Sequence, residues 1–374
     1  MHPQKSYLPV LDGLRGLAIL VVVVSHYGFG HWIPGGFGVT LFFFISGFLI
    51  TRLLIAEWNK TGRIDLTGFY LRRLFRLYPA LLFMVALAVG FALVNGCGLM
   101  TGDVLSTLFY YRNYYMIYGD SPASHLCRHV LDITWSLAIE EHFYLFFPLL
   151  FIAAWRRPRL FIGIMVLVVG AVAAWRLYLI GANGLTDLTV YRIYHQTDTR
   201  LDAIMFGCLV SVLVSQDRAN HWLHRSTQPA IVIGAMVVLL ATFLFRDGVF
   251  RESWRYTIQG LSLSVLVPAL VYNPAYKRLN LSLSSPWLVL TGKLSYSLYL
   301  FHWFGVSVAN QLVGSTRLDP TWLLVAVPLG LTLTVLSYQY VEKPTAGLRR
   351  RFGSTVDTTV PIPERPVQSQ PSIS

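Results

Sequence analysis

The sequence predicts an all-α integral membrane protein with about ten transmembrane helices and both termini in the cytoplasm, and three observations carry that prediction. Of its 374 residues, 55% are hydrophobic and 13% charged, about half the share of about 25% that a soluble domain carries. The apolar residues come in long runs, not amphipathic stripes, and a run of roughly 18 or more reads as a membrane span. Lys and Arg also concentrate in alternate loops, the bias expected of loops that face the cytoplasm.

Taken in order, the first span covers 9–29 around the core Leu17–Tyr27. It contains Arg15 and His26 and no small-residue cleavage site follows it, so it reads as a retained span and not a signal peptide. The second covers 37–56 around Phe37–Ile55, and the third 78–96 around Ala80–Val94. The fourth, 136–155, is interrupted by polar residues, while the fifth, 160–181, is continuous over Phe161–Ile180. The sixth, 201–215, is short; the seventh, 229–246, rests on Ala230–Phe245; the eighth, 257–272, is again short. The ninth and tenth cover 289–312 and 321–341, the last built on Trp322–Leu336. Short or broken spans are tolerated where neighbouring protein covers them.

With the N-terminus inside, the inner loops hold Lys60, Arg63, Arg72, Arg73, Arg76, the Arg156–Arg159 run and the basic stretch ending at Arg351. The outer loops hold fewer cations, among them Arg112, Arg192 and Arg317. This accounts for the net charge of +12 without a nucleic-acid partner. The chain divides into a transmembrane domain over 1–351 and a Pro-, Ser- and Thr-rich cytoplasmic tail over 352–374, which reads as disordered. Cys97 and Cys127 share the largest outer loop, so a disulfide between them and a pair of free thiols both stand as readings. No CxxC or Cys/His ligand spacing occurs, and no metal is predicted.

Five constellations stand out. On the first span, Asp12, Arg15 and His26 follow one another; Arg15 and His26 are eleven residues apart, close to three turns, so they share a direction ~16 Å apart along the axis. Ionisable groups within a span usually face a bundle interior or polar cavity, and His is the natural base near neutral pH. The other reading has Arg15 snorkelling to the interface and His26 hydrogen-bonding a neighbouring helix. Second, Arg72, Arg73 and Arg76 cluster on one helical face, where guanidinium forks fit phosphate oxygens; a positive anchor on anionic lipid is the alternative. Third, Ser136, Glu140 and Tyr144 recur every four residues along one face. Here a buried functional carboxylate competes with one placed for the helix dipole. Fourth, Thr197-Asp198-Thr199-Arg200-Leu201-Asp202 is either a site for a polar acceptor or a solvated cap. Fifth, Ser295, Tyr299 and His302 share a face, where His302 reads as a core histidine or as a substrate contact. No GxSxG, Walker A or HExxH pattern occurs, which argues against a serine hydrolase, an ATP-driven pump and a zinc protease.

In this order, the segments resemble the membrane acyltransferase-3 family, the O-acyltransferases of bacterial surface polysaccharides and some small molecules. The matching pieces are Leu11-Asp12-Gly13-Leu14-Arg15-Gly16-Leu17-Ala18 with His26, Phe42–Ile50, Arg72–Pro79, Trp135–Glu141, Thr199–Asp202, Leu294–Trp303 and Val341-Glu342-Lys343-Pro344. The resemblance reaches to about Arg351 and departs at His142, where relatives often carry glutamine. It implies an arginine-x10-histidine pair at Arg15 and His26, and acyl-CoA contact at Arg73 and Arg76, with Arg72 beside them. It also implies a functional stretch at Trp135, Ser136 and Glu140.

The resulting expectation is an O-acyltransferase of the bacterial inner membrane that uses acetyl-CoA or another acyl-CoA as donor. His26, Glu140 and Arg15 are the catalytic candidates, and Arg73, Arg76 and Arg72 would hold the donor's phosphates. Ser136, Tyr144, Arg200, Asp202 and His302 are the candidate contacts to the acceptor. That acceptor is a carbohydrate or other hydroxyl-bearing molecule: O-antigen, exopolysaccharide, glycolipid or macrolide. Some relatives carry an appended hydrolase-like domain; without one, transfer is direct or passes to a partner. The rival readings are a proton-coupled transporter or flippase using His26 and Glu140, and a non-catalytic membrane scaffold.

Overall fold

The computed structural model describes residues 7–96, 101–119, 129–216, 219–314 and 317–351, and every regular element among them is helical. All ten predicted stretches are helices. They are α1 (Pro9–His26), α2 (Gly35–Thr61), α3 (Leu66–Val94), α4 (Trp135–Ala154), α5 (Pro158–Asn183), α6 (Thr197–Ser215), α7 (Pro229–Leu244), α8 (Trp254–Tyr272), α9 (Pro286–Leu312) and α10 (Pro320–Ser337). Cys97, Cys127 and the tail 352–374 lie outside the described residues; Cys208 is buried and unbonded.

Among the described residues, six helical segments are long and apolar enough to cross a membrane: α1, α2, α3, α5, His129–Ala154 containing α4, and Pro320–Gly347 containing α10. A seventh is added if α8 and Pro274–Leu283, which meet at 83°, count as one span. This is fewer than the ten spans predicted, and the shortfall has a physical pattern. α7 is only 16 residues long. α6 opens on Asp198, Arg200 and Asp202, and α9 interleaves Lys293, Ser295, Ser297 and His302 with its apolar residues. The polar side chains of α6 and α9 are mostly buried, so these helices are covered by protein, whereas α5 and α7 turn large apolar side chains outward.

α3 begins twelve residues before its predicted start at 78, because Asp65 caps it: the Gly68 amide donates to Asp65 Oδ1 at 2.9 Å. The arginine run is therefore the first part of a membrane helix and not a loop before it.

α1 packs between α2 and α9, and α2 packs on α6. The α2–α6 crossing is close because glycines face backbone there. A Cβ at Gly47 would sit 2.1 Å from the Ile204 carbonyl oxygen, and one at Gly207 1.9 Å from that of Phe44. Gly207→Ala is therefore expected to push the helices apart at a cost of about 1–3 kcal/mol. A melting curve of detergent-solubilised protein that matches wild type would contradict this. α1 and α9 use the same device at Gly292, whose Cβ would fall 1.9 Å from the Asp12 carbonyl oxygen. That approach lays Arg15 beside Ser295 and His26 beside His302.

Candidate active site

A cavity of about 280 Å³ runs between α1, α2, α3, α4 and α9. At the end where α1 begins it is lined by Tyr7, Arg52, Arg73 and Arg76, and it closes near Val22, Val39 and Ser136. Arg15, Glu140 and Tyr144 line it between these ends. Six predicted residues thus share one cavity: Arg15, Arg73, Arg76, Ser136, Glu140 and Tyr144.

At the arginine end, the Arg73 guanidinium lies 3.4 Å from the centre of the Tyr144 ring and 5.0 Å from that of Phe69. Its buried Nε has no hydrogen-bond partner among the described residues. Tyr7 donates to Asp12 Oδ2 at 2.7 Å; partial burial and the adjacent Asp12 carboxylate push its phenol up to about 12, so it remains a donor. Arg72 is not part of this group. It turns back to Glu57 at 3.6 Å and so ties α3 to α2.

Midway, Arg15 donates to Ser295 Oγ at 3.3 Å and lies 5.1 Å from the centre of the Phe42 ring. Ser46 Oγ donates to Glu140 Oε1 at 2.6 Å. At the closed end Tyr299 donates to the Ile133 carbonyl at 3.0 Å, which leaves the Ser136 hydroxyl to donate to Tyr299 Oη at 2.6 Å.

The cavity stops at Val22, one turn of α1 before His26. His26 meets His302 there, with Nδ1 and Nε2 2.9 Å apart and the rings stacked at 5.2 Å. The contacts determine the tautomers. His302 Nδ1 is 2.8 Å from the Leu298 carbonyl, which can only accept, so Nδ1 carries the proton. In the neutral ring Nε2 is then an acceptor, and His26 must donate from Nδ1. The lone pair of His26 is left on Nε2. His302 is fully buried, while His26 is partly exposed, with the Trp303 ring edge-on at 4.8 Å. The partner that orients His26 is thus His302 and not Glu140, which is occupied with Ser46.

Arg200 and Asp202 line neither this cavity nor the dyad. Asp202 pairs with Arg176 at 2.7 Å, both side chains fully buried. Arg200 donates to Thr40 Oγ1 at 3.1 Å and to the Tyr194 carbonyl at 3.3 Å, with its guanidinium 4.2 Å from the Tyr256 ring centre. His142 also faces away, with Nδ1 2.7 Å from Thr197 Oγ1. Sequence reading missed Ser46 and Arg52 on α2, Ser295 as the partner of Arg15, and the buried Arg176. Arg176 was open to discovery as a lone cation inside a span. Among the described residues no group of three His, Cys, Asp or Glu could hold a metal ion.

Comparison with known proteins gives a consistent picture. Residues 8–339 match a family model described as an acyltransferase domain. O-acetyltransferase OatA of Staphylococcus aureus strain NCTC 8325 is 31% identical over 365 residues, covering 91% of this chain and 57% of the relative. The putative O-acetyltransferase SACOL0978 of S. aureus strain COL is 30% identical over 374 residues, covering 92% of this chain and 58% of the relative. The chain therefore spans less than two thirds of the length of these curated relatives. No solved structure matches it.

Proposed function

The chain belongs to the acyltransferase-3 family, and on that premise we propose an O-acetyltransferase of the bacterial inner membrane. It takes acetyl from cytoplasmic acetyl-CoA to a hydroxyl of a cell-surface polysaccharide, glycolipid or related acceptor. In this reading all ten long helices traverse the membrane and both termini face the cytoplasm, as the basic inner loops favour. The observation that carries the proposal is the cavity that leads from a cluster of arginines to within one turn of a histidine with a free Nε2.

The residues present suit a CoA donor. Arg52, Arg73 and Arg76 offer guanidinium forks where the cavity opens, and the unpartnered Nε of Arg73 is a donor in want of an anion. Beyond the arginines the cavity is walled largely by apolar side chains, among them Ile19, Val22 and Val39, broken by a few polar groups, which suits the slender arm between the phosphates and the thioester. The bound donor supplies the acetyl thioester. Arg15 holds the arm midway; it is ~16 Å from His26 along α1, too far to share an atom with it. Ser136 and Tyr299 present hydroxyls at the closed end. His26 Nε2 takes the proton of the acceptor hydroxyl as its oxygen bonds to the acetyl carbon, and the C–S bond breaks. The thiolate that leaves takes the proton back. The same lone pair would also serve if His26 carried the acetyl group between two half-reactions.

Labelled acetyl-CoA added to membranes tests the reading. Label should move into a hydroxylamine-labile ester on a hydroxyl acceptor. Solute movement without label transfer would place the protein among transporters instead. Replacing both Arg73 and Arg76 with alanine should raise the KM for acetyl-CoA by about tenfold or more, since each charge-assisted hydrogen bond contributes about 1.5–3 kcal/mol. An unchanged KM would remove their assigned role.

A further inference from the structure

A second cavity, of about 470 Å³, lies beyond the first and shares no lining residue with it. The antiparallel helices α1 and α2 show how the two follow one another. On α1, Val22 lines the first cavity and Ser25 the second; on α2, Gly38 and Val39 line the first, Gly36 and Phe37 the second. Trp135 stands between their linings, since Phe43 lines the first and Tyr194 and His195 line the second. The Trp135 ring touches Phe43 on one side and Tyr194 and His195 on the other. Arg200 braces Tyr194, bonded to its backbone and to Thr40.

The chemistry of the second cavity differs from that of the first. Trp32 and Tyr191 supply ring surfaces, and Arg246, Arg251 and Arg255 with Asp187 and Glu252 supply charged groups of both signs, Arg255 and Glu252 being 3.9 Å apart. Guanidinium only donates and carboxylate only accepts. An anion would meet Glu252; a hydrocarbon would strand both kinds of charge. A ring with both kinds of hydroxyl contact and two apolar C–H faces satisfies the whole set. Burial holds the His195 imidazole down to about 4, so this ring adds no further positive charge.

We propose that this cavity is the acceptor site, and that its ligand is a neutral sugar unit of a glycan. The sugar stacks on the aromatic rings and is hydrogen-bonded by Arg251 and Glu252. The reacting hydroxyl would leave the cavity at its α1 end, where Ser25, the residue before His26, lines the wall; His26 itself lines neither cavity. Donor and acceptor cavities thus each reach α1 within about one turn of the histidine, from opposite ends of the bundle. This deepens the acetyltransferase reading and rests on it.

Full-length protein in nanodiscs, titrated calorimetrically with maltotriose, cellotriose and chitotriose, tests the site. At least one neutral trisaccharide should bind. Trp32→Ala and Arg251→Ala, both at residues outside the buried core, should each weaken it by about tenfold or more, with acetyl-CoA binding unchanged. Three results would overturn the site: no trisaccharide bound, both variants binding as wild type does, or glucuronate or inorganic phosphate bound more tightly than every neutral sugar. Sugar binding that responds to the two variants supports the site even if the wild-type protein binds no acetyl-CoA. That last result would overturn only the donor reading.

Discussion

Alanine at His26 is expected to lower acetyl transfer by about 10²–10⁴-fold, the usual contribution of a positioned general base, while acetyl-CoA still binds. The structure also predicts the behaviour of its neighbour. His302 touches neither cavity; in the proposed scheme it acts by accepting a hydrogen bond from His26 Nδ1–H, which keeps the lone pair on Nε2. His302→Phe fills the space without offering an acceptor. It should cut kcat and leave the KM for acetyl-CoA in place, and His302→Gln, which can accept through its amide oxygen, should recover part of the rate. Initial rates in membranes with labelled acetyl-CoA measure all three variants, and size-exclusion profiles show whether each is folded. Full transfer by His26→Ala would end the scheme. Equal rates for the folded Phe and Gln variants would show that His302 packs and does not position.

How far this was readable from sequence depends on the distance over which each feature is encoded. The ten helices follow from runs of apolar residues, a local property, and every run became a helix. The face shared by Ser136, Glu140 and Tyr144 is also local, and all three line the cavity. Pairings between helices were not readable. His26 and His302 are 276 residues apart, and Arg15 and Ser295 are 280 apart; periodicity tells which residues share a face but not which helix that face meets. Hence His302 stood as a core histidine or substrate contact, and Glu140 as a catalytic candidate beside His26, with neither paired to it. Arg72 shows a finer limit. It shares the arginine run with Arg73 and Arg76, yet the cap at Asp65 fixes the phase of α3 so that Arg72 meets Glu57 while the other two meet the cavity. Six of the predicted spans also meet the length and hydropathy of a membrane crossing on their own; for the shorter or more polar helices, apolar content does not reveal whether lipid or protein covers them.

Arg176 carries the second large expected effect. It stands within α5, with Nη1 donating to the Thr199 carbonyl at 2.8 Å and Nη2 to Asp202 Oδ2 and Thr257 Oγ1, each at 2.7 Å. Arg176 and Asp202 are both fully buried. Removing one member of such a pair leaves a charge without compensation, at a cost of about 3–5 kcal/mol, so Arg176→Met and Asp202→Leu should each lower the melting temperature sharply and reduce the folded yield. The double variant should recover most of that loss, because two apolar side chains of similar volume strand no charge. The experiment also decides what Asp202 is for. Sequence reading made it a candidate contact to the acceptor, whereas the structure commits its carboxylate to Arg176 and to the amide of Ala203. If Asp202 only joins α6 to α5, the refolded double variant should transfer acetyl groups at close to the wild-type rate. If Asp202 bound the acceptor, the double variant would be stable and inactive. Rate and melting temperature, measured on the same preparation, separate the two roles.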